Sequence, residues 1–272
     1  MTTMTMPARP EHGAGLRPVP WRRMTWVTWR QHRIALGGVA VFLGALAVWL
    51  WLAGLQLRHA YAAAIACHPA GPAACQNLIA AFQSTNVLLK GGFVLQPVPA
   101  LIGAFAGPLV LACEFETGTF RYAWTQGFGR GRWTLAKLVL LGAAVAAIAG
   151  AFSVLVSWYY QPYLAPGRLY SPTSPLLHWL FDLRGVAFAA WTLAAFTMGA
   201  LAGVLIRRVV PAIAATLAGY AGLAVLAGAV LRANYQPASH FWPVQGIEGG
   251  GLLALSLLLI AATVWLVRRR AA

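Results

Sequence analysis

Six long apolar stretches constrain this 272-residue chain more than any other feature of its sequence. The hydrocarbon core of a membrane is about 30 Å thick, so a helix needs about 20 mostly apolar residues to cross it. The stretches that meet this requirement are Ile34–Leu55, Phe93–Ala112, Leu138–Tyr160, Gly185–Ile206, Val209–Leu231 and Gly250–Val267. Charged residues make up only 9% of the chain, against about 25% in soluble domains. The sequence therefore predicts an all-α integral membrane protein with six transmembrane helices.

The basic residues predict how these helices are oriented. If the six spans alternate in direction, fifteen of the twenty Lys and Arg residues fall on one side of the membrane. Because cytoplasmic loops carry the excess of Lys and Arg, both termini and the loop between spans two and three are predicted to be cytoplasmic. The chain then divides into a cytoplasmic tail (1–33), a six-span transmembrane domain (34–267) and a basic tail (268–272). The net charge of +15 clusters at the span ends, so no nucleic-acid partner is expected.

The tail before the first span alternates Trp with Arg. Indole rings favour the depth of the lipid headgroups and guanidinium groups bind lipid phosphate, so we expect a helix lying in the membrane interface, in contact with lipid. The alternative is a simple aromatic belt ahead of the span. The residues of this predicted elbow helix are Trp21, Arg22, Arg23, Trp26, Trp29 and Arg30.

Prolines, small residues and cysteines give three local expectations. Pro97, Pro99 and Pro108 predict a kinked or irregular second span, which would make it a candidate for lining a pathway. The Gly199–Gly203 pair predicts close helix packing, within one subunit or between two. Cys67 and Cys75 share the first outer loop, where the environment is oxidising, so we favour a structural disulfide over two free thiols.

Several chemical functions lack their residues. None of the six stretches contains Asp, Glu, Lys, Arg or His, whereas proton-driven carriers need ionisable groups at membrane depth. The sequence has no phosphate-binding Gly-x-x-x-x-Gly-Lys-Ser/Thr loop, no His-Glu-x-x-His and no Gly-x-Ser-x-Gly motif. We therefore predict no catalytic residues, no metal site and no ATPase of its own. If the chain transports, a partner must supply the energy.

A polar segment between the second and third stretches holds two of the five acidic residues. We expect Glu114 and Glu116 to lie in the first turn of a short cytoplasmic helix that runs to about Trp124, because carboxylates complement the positive end of a helix. Gly127 would end this helix. Its aromatic side chains could then fit a groove on a soluble partner.

This segment resembles the type-2 permeases of ATP-binding-cassette transporters, in an actinobacterial style. Those permeases carry Glu-x-Glu-x-Gly-Thr after the second span, matched here by Glu114, Glu116, Gly118 and Thr119. The resemblance implies a coupling helix that docks on a cytosolic ATP-binding subunit. The implied contact residues are Glu114, Phe115, Glu116, Gly118, Thr119, Arg121 and Trp124.

The resemblance also implies the rest of the assembly. A second permease copy or a paralogue would complete the pathway, ATP and Mg would bind to the partner subunit, and the complex would export a hydrophobic or amphipathic compound across the bacterial plasma membrane. The short segment Ala233–Gly249 departs from relatives, which often place re-entrant outer helices there. The rival interpretation is a membrane protein that does not transport, such as a sensor, an immunity factor or an assembly factor.

Overall fold

The fold is an α-helical bundle, seen in a computed structural model that describes residues 21–67, 72–85, 95–118, 129–164, 181–232 and 241–270. All regular elements in these ranges are helical. They are α1 (Trp21–Ala66), α2 (Pro72–Thr85), α3 (Val98–Thr117), α4 (Arg130–Leu164), α5 (Gly185–Ile206), α6 (Val209–Ala227), the π-helical segment Gly228–Arg232 and α7 (Phe241–Arg270).

Six of the helical segments are long and apolar enough to cross a membrane, which confirms the predicted fold class. They are Leu36–Ala66, Val98–Thr117, Arg130–Tyr163, Gly185–Ile206, Val209–Val230 and Phe241–Arg269. The fourth matches its predicted bounds and the fifth nearly so, because Arg207 and Arg208 mark the turn between them. The first, third and sixth are longer than predicted, since their helices continue past the apolar run into polar sequence.

The second spanning helix, α3, lies in the centre of the bundle. The second apolar stretch was predicted to begin at Phe93, but the helix itself begins at Val98. Pro97 is its N-terminal cap, and another proline lies in its first turn. Proline is tolerated there because the first amides of a helix have no intrahelical acceptor. From Val98 to Thr117 the helix is continuous despite Pro108, so the predicted irregular course does not apply to this part, and the predicted kink stays a prediction.

Glycines bring α3 and α5 into close contact. A Cβ on Gly199 would lie 2.8 Å from the Gly103 carbonyl oxygen, and one on Gly203 would lie 3.2 Å from the Ala112 amide nitrogen. Small residues at a crossing let two backbones approach closely. The Gly199–Gly203 pair therefore packs α5 against α3 within this chain. A role of the same pair between two subunits stays a prediction.

The other helices surround this central pair. Most residues of α3 and α5 are buried, whereas α6 exposes branched apolar side chains such as Val210 and Val225. A helix that is apolar on all sides belongs in a protein core or in lipid. At the end of the bundle formed by Ala66 and Leu164, α2 packs against α1, and Cys67 and Cys75 form a disulfide with their Cα atoms 5.7 Å apart.

The sixth spanning helix corrects the predicted absence of ionisable groups. It begins at Phe241, nine residues before the predicted Gly250, and so contains the ionisable Glu248 together with the neutral amide of Gln245. Both residues are buried. Of the short segment Ala233–Gly249, in which relatives often place re-entrant outer helices, residues 241–249 form the first part of α7 and residues 233–240 lie outside the described residues.

Candidate functional site

Glu114 and Glu116 lie in the last turn of α3, so the predicted placement in the first turn of a separate helix was wrong. The helix ends at Thr117, and Gly118 follows with a positive φ of 71°, a left-handed conformation that glycine adopts without strain. Carboxylates at this end face the negative pole of the helix dipole, which is unfavourable. Each must therefore be stabilised by a positive partner from another helix.

Glu114 has that partner in Lys137, on the second turn of α4. The ammonium group contacts Oε1 of Glu114 directly, and the two side chains are only 1% and 14% exposed for Lys137 and Glu114 respectively. The Lys137 Nζ also lies 3.9 Å from the centre of the Trp133 ring, a cation–π contact. A buried ion pair with this second contact fixes the end of α3 against the start of α4.

Glu116 connects the same turn to a third helix. Its Oε2 accepts a hydrogen bond from the backbone N–H of Val209, the first residue of α6, at 3.2 Å. This N–H belongs to the first turn of a helix and has no intrahelical acceptor. Beside it, the Arg207 guanidinium lies 5.8 Å from the Phe115 ring centre. The last turn of α3 therefore contacts both α4 and the α5–α6 turn.

His32 brings the first helix to the same place. The imidazole is partly buried, and burial together with the nearby charge of Lys137 lowers the pKa of His32 to about 4. It is therefore neutral near pH 7. We call this end of the bundle, defined by His32, Glu114, Lys137, Val209 and the C-terminus of α7, the basic end.

The remaining predicted contact residues are placed only in part. Thr119, Arg121 and Trp124 lie outside the described residues, so their role stays a prediction. Among the residues of the predicted elbow helix, Trp26 and Trp29 are 60% and 54% exposed, and the Arg30 guanidinium lies 5.4 Å from the Trp26 ring centre.

The predicted elbow is continuous with the first span. Trp21, Arg22 and Arg23 belong to the backbone of α1, which runs unbroken from Trp21 to Ala66. Its 46 residues extend about 69 Å at 1.5 Å each, over twice the ~30 Å hydrocarbon core. The structure shows no break between these residues and the span, so a separate helix lying flat in the interface is not confirmed and stays a prediction.

Sequence reasoning missed a second polar contact at the opposite end of the bundle. The indole N–H of Trp191 on α5 donates to Oε1 of Glu248 on α7 at 2.6 Å, and both residues are 2% exposed. One turn earlier, Gln245 accepts from the Ala187 N–H at 2.9 Å and donates to the Phe181 carbonyl at 2.8 Å. The apolar run starting at Gly250 hid these residues, although the absence of Pro or Asn between Gln245 and Gly250 allows the helix to begin earlier.

Lys137 was missed as a site residue for a different reason. The sequence indicated a cation at the opening of the third span. Acidic and basic residues that border the same loop can pair across its two ends, and this signal was available in the sequence. The arrangement as a whole connects the end of α3 to the start of α4 and to the start of α6.

Comparison with known proteins agrees with this geometry. The family described as "ABC-2 membrane transporter related" matches residues 40–232, which include α3, α5, α6 and both members of the Glu114–Lys137 pair. No curated protein and no solved structure gives a significant match. The match covers well over half of the chain, so this multi-pass membrane protein belongs to the ABC-2 membrane transporter-related family, whose members are the transmembrane permease components that work with an ATP-binding subunit.

Proposed function

We propose that this chain is the membrane half of an ATP-driven exporter in the bacterial plasma membrane. Two copies, or one copy and a paralogue, form the pathway, and two cytosolic subunits bind ATP and Mg. The segment 118–129 docks on the ATP-binding subunit, as the resemblance of its motif implies. Export, the cargo class and the docking residues are parts of this proposal.

The observation that carries the proposal is that two side-chain contacts connect three helices where this segment begins. Glu114 joins α3 to α4 through Lys137, and Glu116 joins α3 to α6 through the Val209 N–H. A displacement of the segment therefore acts on all three helix ends together. Without these two contacts, the same displacement would change the conformation of the loop and would not move the helices.

From these ends the displacement reaches the centre of the bundle. α3 packs on α5 through glycines along most of its length, with Gly107 against the Phe196 carbonyl and Gly199 against Pro108. Packed backbones have little room to deform, so they move as a unit. The α3–α5 pair is thus the element that ATP-driven movement of the partner shifts relative to α1.

A groove between α1 and α3 supports a hydrophobic or amphipathic cargo. It has a volume of about 370 Å³. Its lining is apolar, formed by Gly38, Val39, Phe42, Leu101, Ile102, Phe105, Ala106 and Leu109. A charged cargo would lose its hydration there without a compensating partner. The groove lies along α3, the helix that the coupling segment moves.

The test separates docking from folding. Because Glu114 faces Lys137 inside the bundle, its substitution would disturb the fold, so the informative variants are Arg121→Glu and Trp124→Ala. The matched control is Arg168→Glu, which makes the same charge change in a loop predicted on the other side of the membrane. Tagged full-length protein is purified from its native membrane and assayed for a co-purifying subunit with Mg-dependent ATP hydrolysis.

We expect wild type and Arg168→Glu to retain the ATPase and the two segment variants to lose it at equal membrane insertion. Retention by all variants would refute docking through this segment. Absence of ATPase activity from the wild-type preparation would instead favour a sensor, immunity or assembly factor.

A further inference from the structure

The apolar groove between α1 and α3 continues towards the basic end along one face of each helix. On α3, Cys113 and Glu116 follow Leu109 of the groove lining by four and seven residues, so they share its face. On α1, Gln31 precedes Gly38 of the lining by seven residues and shares its face in the same way. All three polar residues are exposed. We call Gln31, Cys113 and Glu116 the polar mouth of the groove.

The open side of the groove lies at the depth of lipid tails. Phe42 on α1 and Leu101 and Phe105 on α3 line the groove and remain exposed. Both helices are long and apolar enough to span the membrane. A molecule dissolved in the bilayer therefore reaches this lining from the side and does not have to cross water.

The distance from the groove to its polar mouth matches the thickness of one leaflet. From Phe105 to Glu116 the helix advances by eleven residues, about 16 Å at 1.5 Å each. Half of a hydrocarbon core of about 30 Å is about 15 Å. An amphiphile whose tail spans one leaflet can therefore place that tail against Phe105 and its headgroup beside Glu116.

The charge at the polar mouth is negative, although the chain as a whole is strongly basic. Among the four acids of the described ranges, Glu116 is the exposed one. Its Oε2 accepts the Val209 N–H, which fixes the position of the carboxylate. A carboxylate has two oxygens and accepts several hydrogen bonds, so a second donor can bind beside the first. An ammonium group supplies such donors together with the complementary charge.

Cations of the basic end are directed to other groups. Lys137 contacts Glu114, and the Arg207 guanidinium lies over the ring of Phe115. Arg33 belongs to a face of α1 other than the one that lines the groove, since it precedes Gly38 by five residues. The path from the groove to Glu116 therefore carries one acid and no base on the faces that form it.

We propose that the groove takes an amphiphile with an apolar tail and a cationic amine headgroup, which enters from the leaflet at the basic end. The tail lies between α1 and α3, and the ammonium group lies beside Glu116. This assignment names the cargo class of the proposed exporter and rests on that proposal for transport. Binding itself requires only this chain.

Cys113 provides a natural reporter of binding. It is exposed one turn from Leu109, and it is the free thiol of the described residues, because Cys67 and Cys75 form a disulfide. Purified full-length protein in phosphatidylcholine nanodiscs receives hexadecylamine, hexadecanol or hexadecyl sulfate, which share one tail and differ in headgroup. The rate at which a water-soluble maleimide alkylates Cys113 is measured at each mole fraction.

Three variants separate the tail site from the headgroup site. Gly38→Leu fills the groove without a clash, because a Cβ there has no atom of another helix within 4 Å. Gly44→Leu is the matched control, since its surroundings are equally open and it does not line the groove. Glu116→Gln removes the charge but keeps an oxygen that can accept the Val209 N–H. Equal melting temperatures establish that the variants fold as the wild type does.

We expect hexadecylamine to halve the alkylation rate at about tenfold lower mole fraction than hexadecanol or hexadecyl sulfate, as expected for one hydrogen bond between charged groups. Glu116→Gln should abolish this difference. Gly38→Leu should require about tenfold more hexadecylamine because the tail loses its apolar contacts, whereas Gly44→Leu should behave as wild type.

Protection by hexadecyl sulfate at an equal or lower mole fraction would overturn the cationic headgroup. Equal protection of Gly38→Leu and wild type would overturn the groove as the tail site, and would show that the amine acts only through the charge of the membrane surface. No protection of the wild type would overturn the site. The assay contains no ATP-binding subunit, so these outcomes are independent of whether an ATPase co-purifies with the chain.

Discussion

The Glu114–Lys137 pair offers the sharpest test of how the basic end is held together. Replacing Lys137 by Met removes the ammonium group and leaves the Glu114 carboxylate buried beside an apolar side chain. Since the Lys137 side chain is 1% exposed and that of Glu114 only 14%, water cannot readily take the place of the lost partner. Removal of one member of a buried ion pair typically costs about 3–5 kcal/mol. The loss of the cation–π contact with Trp133 adds to this cost.

Replacement of both members has a different expected result. A buried pair exchanged for apolar groups of similar volume is often close to neutral, because the desolvation cost of both charges disappears with their attraction. We therefore expect Glu114→Leu/Lys137→Met to lie within about 1 kcal/mol of wild type, although each single substitution costs about 3–5 kcal/mol. The double-mutant cycle would then give a coupling energy of several kcal/mol, the mark of direct contact.

The assay is the free energy of unfolding in mixed micelles, from an SDS titration followed by the fluorescence of the 12 Trp residues. Lys90→Met, at the only other lysine of the chain, serves as the control for the loss of one positive charge. Single-substitution costs that simply add up in the double variant would refute the contact. A Lys137→Met protein as stable as Lys90→Met would refute the burial argument.

Three further expectations concern other contacts of the bundle. Gly199→Ala should cost about 1–3 kcal/mol, because its Cβ would overlap α3, whereas Gly222→Ala, with open space around it, should not; equal thermal unfolding of the two would contradict the close crossing. Trp191→Phe removes the donor to Glu248 and should cost about 1–3 kcal/mol, partly recovered by Glu248→Leu in the same protein; an unchanged melting temperature would show that the hydrogen bond contributes nothing. His32 has its pKa lowered to about 4, below its unfolded value of about 6.5, so the unfolded state binds more protons between these values and stability should fall as pH drops from about 6.5 to 4. His32→Gln should flatten this part of the pH–stability curve, and superimposable curves would refute the assignment.

The spanning helices could be predicted because lipid imposes a simple requirement on length and polarity. The turn between α5 and α6 was located to the residue, since two arginines interrupt the apolar sequence there. Helix ends beyond the apolar run could not be located in this way. α4 starts at Arg130 and α7 at Phe241, because backbone hydrogen bonding continues into polar sequence as long as the side chains find partners.

The two glutamates show where local reasoning fails. Their placement at a helix start followed from the helix dipole, which is a weak effect of 0.3–1 kcal/mol for an exposed group. In the fold they stand at a helix end, because Lys137 and the Val209 N–H provide stronger interactions from elements 23 and 93 residues away. Distances of that kind in sequence are set by how helices pack, and no pattern within the segment contains them.

The scarcity of acidic residues gives these contacts a common interpretation. Four of the five acids lie in the described ranges, and each contacts a distant part of the chain: Glu114 joins α3 to α4, Glu116 joins α3 to α6, Glu248 joins α7 to α5, and Asp182, just before α5, accepts from Gln96, just before α3. In a chain of net charge +15, an acid without such a role would be attracted to many competing cations. The acids of the described ranges therefore act first as long-range contacts at the two ends of the bundle. A Glu114 or Glu116 variant that loses transport consequently gives no evidence about docking unless its unfolding free energy is unchanged. Arg121 and Trp124, which the sequence places between these two helix ends, are therefore the positions at which the proposed docking is better tested.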